Sequence, residues 1–446
     1  MKDNNMKVLK VLVASIVASS TFASSLNANV TPTQASPVKV EAQKKVENSP
    51  TLSITGKIGF EGAAIRNAAA HVTETELSGF RVSLSQWFLT GKAEHKTESG
   101  FIYSVNGRIF ADTSRGVKNT LTDADKELLN ATRAKTDPQV KGVDLRPATT
   151  LFDRLWLELK HEDYGTLQIG NYLGAYNTMI EDASSILGGN GGFMGGNCFN
   201  YYFLPEGLVK EYRQSTDTRV ATKVTYYTPR LEGFQLGASY TPRADAYGLD
   251  TTNYTNATSS LKPTGQNVIG VGVNFEKEFS GLTLKAGVAG LSGQAVDKEG
   301  KADDLNNVFS WEWSLRLTSG PFDIAGGYVD NGTSGLKKVN DPFKDAGKLY
   351  DVALSYSIGA AKVAVGTLYT THTDKDNFNR TLNAYSLTAD YTISKGLVAY
   401  IDITKLDGAT NETAVKAHNA DPKNIKDQKA GDNSGYIGFV GLTISF

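Results

Sequence analysis

The chain is short of several things. It carries one cysteine, Cys198, in 446 residues, so no internal disulfide is available. The neighbours Gly196, Asn197, Phe199 and Asn200 offer no basic setting to activate a thiol, and Cys198 reads as an incidental small side chain in a loop. Proline is scarce, at 12. Neither sign of charge dominates: 46 Lys and Arg stand against 47 Asp and Glu, which removes the basic excess that a nucleic-acid partner requires. Mean hydropathy is −0.29. Beyond the N-terminus no stretch approaches twenty apolar residues, which excludes transmembrane helices outside the leader. A β-barrel escapes that test, because only alternate residues of its strands meet lipid.

Catalytic signatures are also missing. None of the five histidines, His71, His95, His161, His372 and His418, stands at HExxH or other metal spacing. No Gly-x-Ser-x-Gly elbow occurs. The glycine cluster at 188–196 lacks the Gly-Lys-Ser/Thr ending of a phosphate loop and reads as loop flexibility. An outer-membrane hydrolase would have His372 as its only plausible rim histidine. The reading is a non-enzyme with no cofactor and no metal.

What is abundant is glycine, 44 residues, together with 10% aromatics. Both suit a β protein with many tight turns and interfacial rings. The N-terminus reads as an export signal. Lys2, Lys7 and Lys10 supply the positive region, residues 11–22 supply a short apolar core, and cleavage follows Ala23 or Ala28. Residues 29–50, with Pro32, Pro37, Pro50 and the pair Lys44-Lys45, read as a flexible periplasmic linker. The expected division is a signal peptide at 1–28, the linker at 29–50, and a transmembrane β-barrel at 51–446.

The C-terminal segment is the most informative. In an extended chain Tyr436, Gly438, Val440, Leu442, Ile444 and Phe446 share one face. About eleven residues is what a tilted strand needs to cross a bilayer, and a closing strand that ends on an outward Phe anchors in an aromatic girdle. Upstream, sixteen amphipathic runs can be counted. They lie at 52–62, 79–94, 101–111, 151–160, 165–172, 217–228, 233–242, 267–279, 281–293, 307–318, 322–331, 348–358, 361–373, 383–393, 396–405 and 434–446. Gaps after even-numbered runs are tiny, such as 162–164, 280 and 394–395, and rich in Gly, Pro, Asp and Ser. Gaps after odd-numbered runs are long and polar, such as 112–150, 173–216 and 406–433. Short turns on one rim and long loops on the other form the outer-membrane barrel pattern. An even count puts both chain ends on the periplasmic side.

Faces are well sorted. Phe309, Trp311, Trp313, Leu315 and Leu317 alternate with Ser310, Glu312, Ser314, Arg316 and Thr318. A lumen that accepts Glu312, Arg316 and Asp390 is expected to be wet. A soluble sandwich would not alternate its loop lengths in this way, and no repeat period supports a solenoid.

Residues 153–171, DRLWLELKHEDYGTLQIGN, resemble the central hairpin of Gram-negative general porins. Residues 218–240 are similar to the hairpin that follows in that family, with Tyr226, Pro229, Gly233-Phe234 and Tyr240 as its marks. The resemblance extends from about residue 52 to Phe446. It implies a sixteen-stranded, water-filled, trimeric barrel whose third long loop folds inward and narrows the pore. Here that loop is 173–216. Its acidic residues Glu181, Asp182, Glu206 and Glu211 would form one side of the constriction. The face assignment puts Lys57, Arg81, Arg108, Arg154, Lys160, Arg219 and Lys223 inside, with Glu158 as the main acidic exception. The basic wall of the first strands would then face the acidic loop and orient polar solutes. Tyr436 and Phe446 would serve the membrane girdle and the assembly strand.

The expected function is passive diffusion of small hydrophilic solutes and ions across the outer membrane. A substrate-specific channel, with Tyr201, Tyr202 and Phe203 as a short aromatic file, and a structural or adhesive barrel are the rivals. Expected partners are two further copies, outer-membrane lipid and lipopolysaccharide, and the assembly machinery through the last strand.

Overall fold

The computed structural model describes residues 50–67, 79–111, 150–189, 191–194, 198, 221–244, 264–297, 302–409 and 433–446. The expected signal peptide and linker lie outside the described residues. Strands follow the alternating runs. They are β1 (Thr51–Asn67), β2 (Gly79–Lys96), β3 (Ile102–Ala111), β4 (Thr150–His161), β5 (Gly165–Asn171), β6 (Thr222–Tyr227), β7 (Phe234–Arg243) and β8 (Thr264–Phe279). The second half comprises β9 (Leu282–Val296), β10 (Val308–Ser319), β11 (Phe322–Asp330), β12 (Lys348–Ile358), β13 (Ala361–Thr373), β14 (Asn379–Ser394), β15 (Leu397–Ala409) and β16 (Asn433–Ser445). Each pairs antiparallel with its sequence neighbours, and β16 pairs with β1, so the sheet is a closed barrel of sixteen strands.

Closure explains the C-terminal pattern. Gly56 N–H donates to the Phe446 carbonyl at 3.0 Å, and Phe446 N–H donates back to Gly56 at 3.1 Å. The Phe446 side chain stays outside the barrel, 61% exposed. Tyr436 is outward at the other end of β16, with the Lys405 ammonium 5.8 Å from its ring centroid. The two aromatics therefore mark the two ends of one strand.

The alternation sorts as the sequence implies. Ile269, Val271 and Val273 on β8, Phe309, Trp311 and Trp313 on β10, and Tyr385, Leu387 and Tyr391 on β14 all face outward and are exposed. Near the long-loop rim the outward rings of Trp311, Tyr328, Tyr350 and Tyr369 form a ladder, with successive centroids 5.3, 4.7 and 6.0 Å apart. So large an exposed apolar belt is untenable in water and is what a hydrocarbon surround requires.

Connections 97–101, 162–164, 228–233, 280–281, 320–321, 359–360 and 395–396 share one rim, together with the start of β1 and the end of β16. The odd-numbered strands lead to the other rim. There the β13–β14 connection, 374–378, is only five residues long, because β14 starts four residues earlier than the run 383–393 implies.

Gly165 shows why these turns are glycine-rich. Its φ is +83°, and a Cβ there would lie 2.1 Å from the Tyr227 carbonyl oxygen on β6. Gly165→Ala combines left-handed strain with a backbone clash, and is expected to cost about 2 kcal/mol or more. The check is the urea midpoint of the folded, heat-modifiable species; an unchanged midpoint would contradict it.

Candidate functional site

The connection between β5 and β6 turns into the barrel. Its described residues bond to inward side chains of one strand after another. A short helix, α1 (Ala175–Thr178), comes first. Ala175 N–H donates to Ser239 Oγ on β7 at 3.2 Å, the Thr178 and Tyr227 hydroxyls share a hydrogen bond of 2.7 Å, and the Tyr176 and Ser310 hydroxyls one of 2.9 Å. Glu181 N–H then donates to Ser314 Oγ on β10 at 2.9 Å, and Ala183 N–H to Asp351 Oδ1 on β12 at 2.9 Å. Gly188 N–H reaches Thr388 at 3.0 Å, Gly189 N–H reaches Asp390 Oδ1 at 2.5 Å, and Gly192 N–H reaches Asp402 Oδ2 at 2.9 Å. The loop thus follows the inner wall from β6 to β15.

Small residues make its seat. On the inner face of β7, β8 and β9, Gly237, Gly272 and Gly287 lie under Met179; a Cβ on Gly287 would stand 2.2 Å from the Met179 carbonyl oxygen. Further round, Ile186, Leu187 and Phe193 pack with the inward Ala325, Ala353, Ala364, Leu368 and Leu382 into a buried apolar cluster. The loop therefore packs against this part of the inner wall. This corrects the expectation of a uniformly wet wall: Glu312 is fully buried, on the strand whose neighbouring serines hold the loop.

An ionic chain runs along the short-turn side of this seat. Glu181 accepts from Lys285 Nζ at 2.8 Å and from Arg316 Nη1 at 2.8 Å. The Arg316 Nε and Nη2 grip Asp323 at 3.0 and 2.6 Å, with Thr318 donating to the same carboxylate at 2.9 Å. Lys285 also reaches Glu276 at 3.2 Å, which lies 3.8 Å from Arg230. Burial alone would raise the Glu181 carboxyl, but the hydrogen bonds from Lys285 and Arg316 outweigh it and hold the group below its ordinary value of 4.5. Its anchoring contribution is therefore complete above the ordinary value and is lost only as pH falls through the lowered one. Glu181→Gln should raise channel noise at neutral pH, and noise unchanged by the exchange would contradict this.

The predicted constriction residues separate. Asp182 is buried and caps its own turn, accepting from Ser184 N–H at 3.0 Å and Ser184 Oγ at 2.6 Å. Lys223 points inward but is buried; its ammonium donates to the carbonyls of Tyr172 at 2.6 Å and Ala221 at 2.7 Å, clasping the two stems of the loop. Glu206, Glu211 and Arg219 lie outside the described residues, as do Tyr201, Tyr202 and Phe203. The Arg81 backbone is opposite Ala63 on β1, and its side chain is outside the described set.

The first strands hold the rest. Lys57 pairs in register with Phe88, and Arg108 directly with Arg154. Glu158 accepts from Gln168 Nε2 at 2.7 Å, and Lys160 is exposed nearer the short turns. Glu181 therefore meets cations of its own wall, Lys285 on β9 and Arg316 on β10. Two aromatics also face inward: Trp156 alternates with the outward Leu155 and Leu157 of its own strand, whereas Phe88 shares the parity of the outward Phe80 and Val82 and is turned inward by the bulge opposite Gly59 and Phe60. His372 is buried against Phe343, with ring centroids 4.0 Å apart.

Known proteins resemble this chain at two levels. An uncharacterised protein of Rickettsia conorii is 24% identical over 349 residues, 66% of this chain and 76% of its own length. One from Rickettsia felis is 23% identical over 396 residues, covering 74% and 86%. Among solved structures, an anion-selective porin from Comamonas acidovorans aligns with a TM-score of 0.51 at 14% identity, covering 89% of this chain and 100% of that one. The outer-membrane-expressed OmpT of Vibrio cholerae aligns with a TM-score of 0.50 at 13% identity, covering 89% and 98%. The family description that matches, over residues 11–411, is that of the Gram-negative porins, and with the closed sixteen-strand barrel it shows that the chain belongs to the Gram-negative porin family, the channels of the outer membrane.

Proposed function

We propose that this outer-membrane channel is a general diffusion pore for small hydrophilic solutes and ions, with a preference for anions. The observation that carries the reading is the asymmetry of the bore. The loop is fastened along the wall from β6 to β15, and its Glu181 is neutralised there by Lys285 and Arg316. Across from it stand Lys57, Arg108, Arg154 and Lys160, with Glu61 on β1, Glu94 on β2 and Glu158 on β4 as described acidic groups among them. A lumen field set by that wall attracts anions.

The protein acts as a homotrimer joined through the outward face around β5. That strand has seven residues, about 23 Å of chain at 3.3 Å each. Tilted, it covers less than the roughly 25 Å apolar band of such barrels. The exposed Leu155, Leu157, Ile169, Val224 and Tyr226 beside it suit a neighbouring copy as cover. Export with cleavage after Ala23 or Ala28 completes the reading.

Planar-bilayer reconstitution tests it. The expected record has conductance steps that close in groups of three and a reversal potential of anion-selective sign in a KCl gradient. Single ungrouped steps would remove the trimer, and a cation-selective sign would remove the field assignment.

A further inference from the structure

We propose that Phe343, His372 and Arg380 form an acid-released latch that holds the β11–β12 connection across the long-loop mouth of the barrel. The latch is independent of the ion preference of the bore. His372 and Arg380 are directly opposite each other on β13 and β14, and both are buried on the inner face. The ring of Phe343, in the connection 331–347, packs against both. Its centroid is 4.0 Å from that of the His372 ring and 5.0 Å from the Arg380 Cζ. A loop that rests on inward residues at this rim leans over the bore.

Backbone bonds on both sides of the Phe343 ring fix the contact. Lys344 N–H donates to the Thr373 carbonyl at 2.8 Å, and Lys375 N–H donates to the Pro342 carbonyl at 2.9 Å. Asp345 Oδ2 accepts from Thr373 N–H at 3.1 Å, and Asp341 Oδ1 accepts from Phe343 N–H at 2.9 Å. The base of the loop has bonds of its own. Asn331 N–H donates to the Gly347 carbonyl at 3.1 Å, and Ala346 N–H to the Gly332 carbonyl at 2.6 Å. Loss of the Phe343 contact therefore frees the residues between and leaves this base as a hinge.

The weak point of the latch is the imidazole. Tyr369, in the outward ladder of rings that marks the membrane boundary, precedes it on β13, so His372 lies beyond the apolar band. The charged groups that face it are Arg380 on β14 and Asp341 and Asp345 on the loop. Asp374, in the β13–β14 connection, is paired with Arg380 at 3.7 Å. No carboxylate among the described residues accepts a hydrogen bond from the His372 ring. Burial, the largest influence, holds the imidazole below its ordinary value of 6.5, and Arg380 acts in the same direction. A proton there would set like charges opposite each other across two strands and press a charge against Phe343. The latch is therefore at full strength above 6.5 and is lost progressively from there down to the lowered value. In that window the released form takes up a proton that the latched form does not. The ratio of released to latched loop then grows by up to about tenfold per pH unit.

Hydrogen exchange on the intact protein in lipid nanodiscs tests the latch. It is read at the Lys344 and Lys375 amides, from mildly alkaline to acid pH, with rates corrected for the intrinsic pH dependence of exchange. Protection of these amides is expected to be constant above 6.5 and to fall by up to about tenfold per unit below it. Ladder amides in the middle of β13 should stay protected throughout. His372→Phe and His372→Gln have no group that titrates in this range, and either should hold the protection constant. Constant protection in the unaltered protein overturns the latch without needing any variant. So does an equal fall in both variants, which would assign the effect to Asp341 and Asp345. In a planar bilayer the unaltered protein should gain a second conductance level in the same pH window, and the variants should not. Release without a new level overturns the placement of the loop over the mouth.

Discussion

Exchanging Arg108 and Arg154 together for glutamate reverses the ion preference of the channel. The two side chains sit opposite each other on the inner face, so the exchange alters four unit charges at one height of the bore. A unit charge about 6 Å from a passing ion contributes about 0.7 kcal/mol in water. Four such changes give about 2.8 kcal/mol, and screening at 0.1 M salt, with a Debye length of about 10 Å, leaves roughly half. That is about tenfold for each ion in opposite directions, or about a hundredfold in the permeability ratio of chloride to potassium, enough to reverse the preference. Reversal potentials in a KCl gradient read it directly. Because both positions face the lumen, the strand ladder and its folding should be unaffected. A reversal potential that does not move would show that the bore's field originates elsewhere.

Removing Asp390 and Asp402 as alanines releases the far end of the inward loop. These carboxylates accept from the backbone N–H groups of Gly189 at 2.5 Å and Gly192 at 2.9 Å. Hydrogen bonds to charged groups are worth about 1.5–3 kcal/mol each, so the pair contributes about 4 kcal/mol to seating the loop. Its loss shifts the balance of seated to unseated loop by about a thousandfold. An excursion too rare to register becomes frequent, and single-channel records should flicker between conductance levels. The thermal stability of the barrel should hold, since the loop adds no bond to the strand ladder. Quiet records from a folded double variant would mean that the apolar contacts of Ile186 and Phe193 are sufficient alone.

The frame of this protein was legible because its determinants are local. A period of two, repeated over sixteen stretches, gives strands, faces and rims without knowledge of what lies across the barrel. Even Lys348–Ile358 and Ala361–Thr373 have the ends that the pattern assigns. The interior was less legible, because its determinants are distant pairings. Glu181 is bound by residues 104 and 135 positions away, and nothing in its neighbourhood points to them. Lys223 reads as one more inward cation, and only the return of the loop stems makes it a clasp. The seat left a faint trace: Gly237, Gly272 and Gly287 are inward and small, where a water-lined wall has no need of small residues. A count of apolar alternation passes over glycine. Asp182 illustrates the same limit, because a capping carboxylate and a pore-lining carboxylate are identical in sequence.

Every strand but two finds its partners among its immediate neighbours in the chain, through short turns or single loops. The exception is the seam between the first strand and the last, where Gly56 meets Phe446 across some 390 residues. Bringing such distant ends together costs about 5 kcal/mol of chain entropy beyond the constant term. Until that seam forms, the first and last strands each present an unpaired edge, the kind of surface that joins foreign strands.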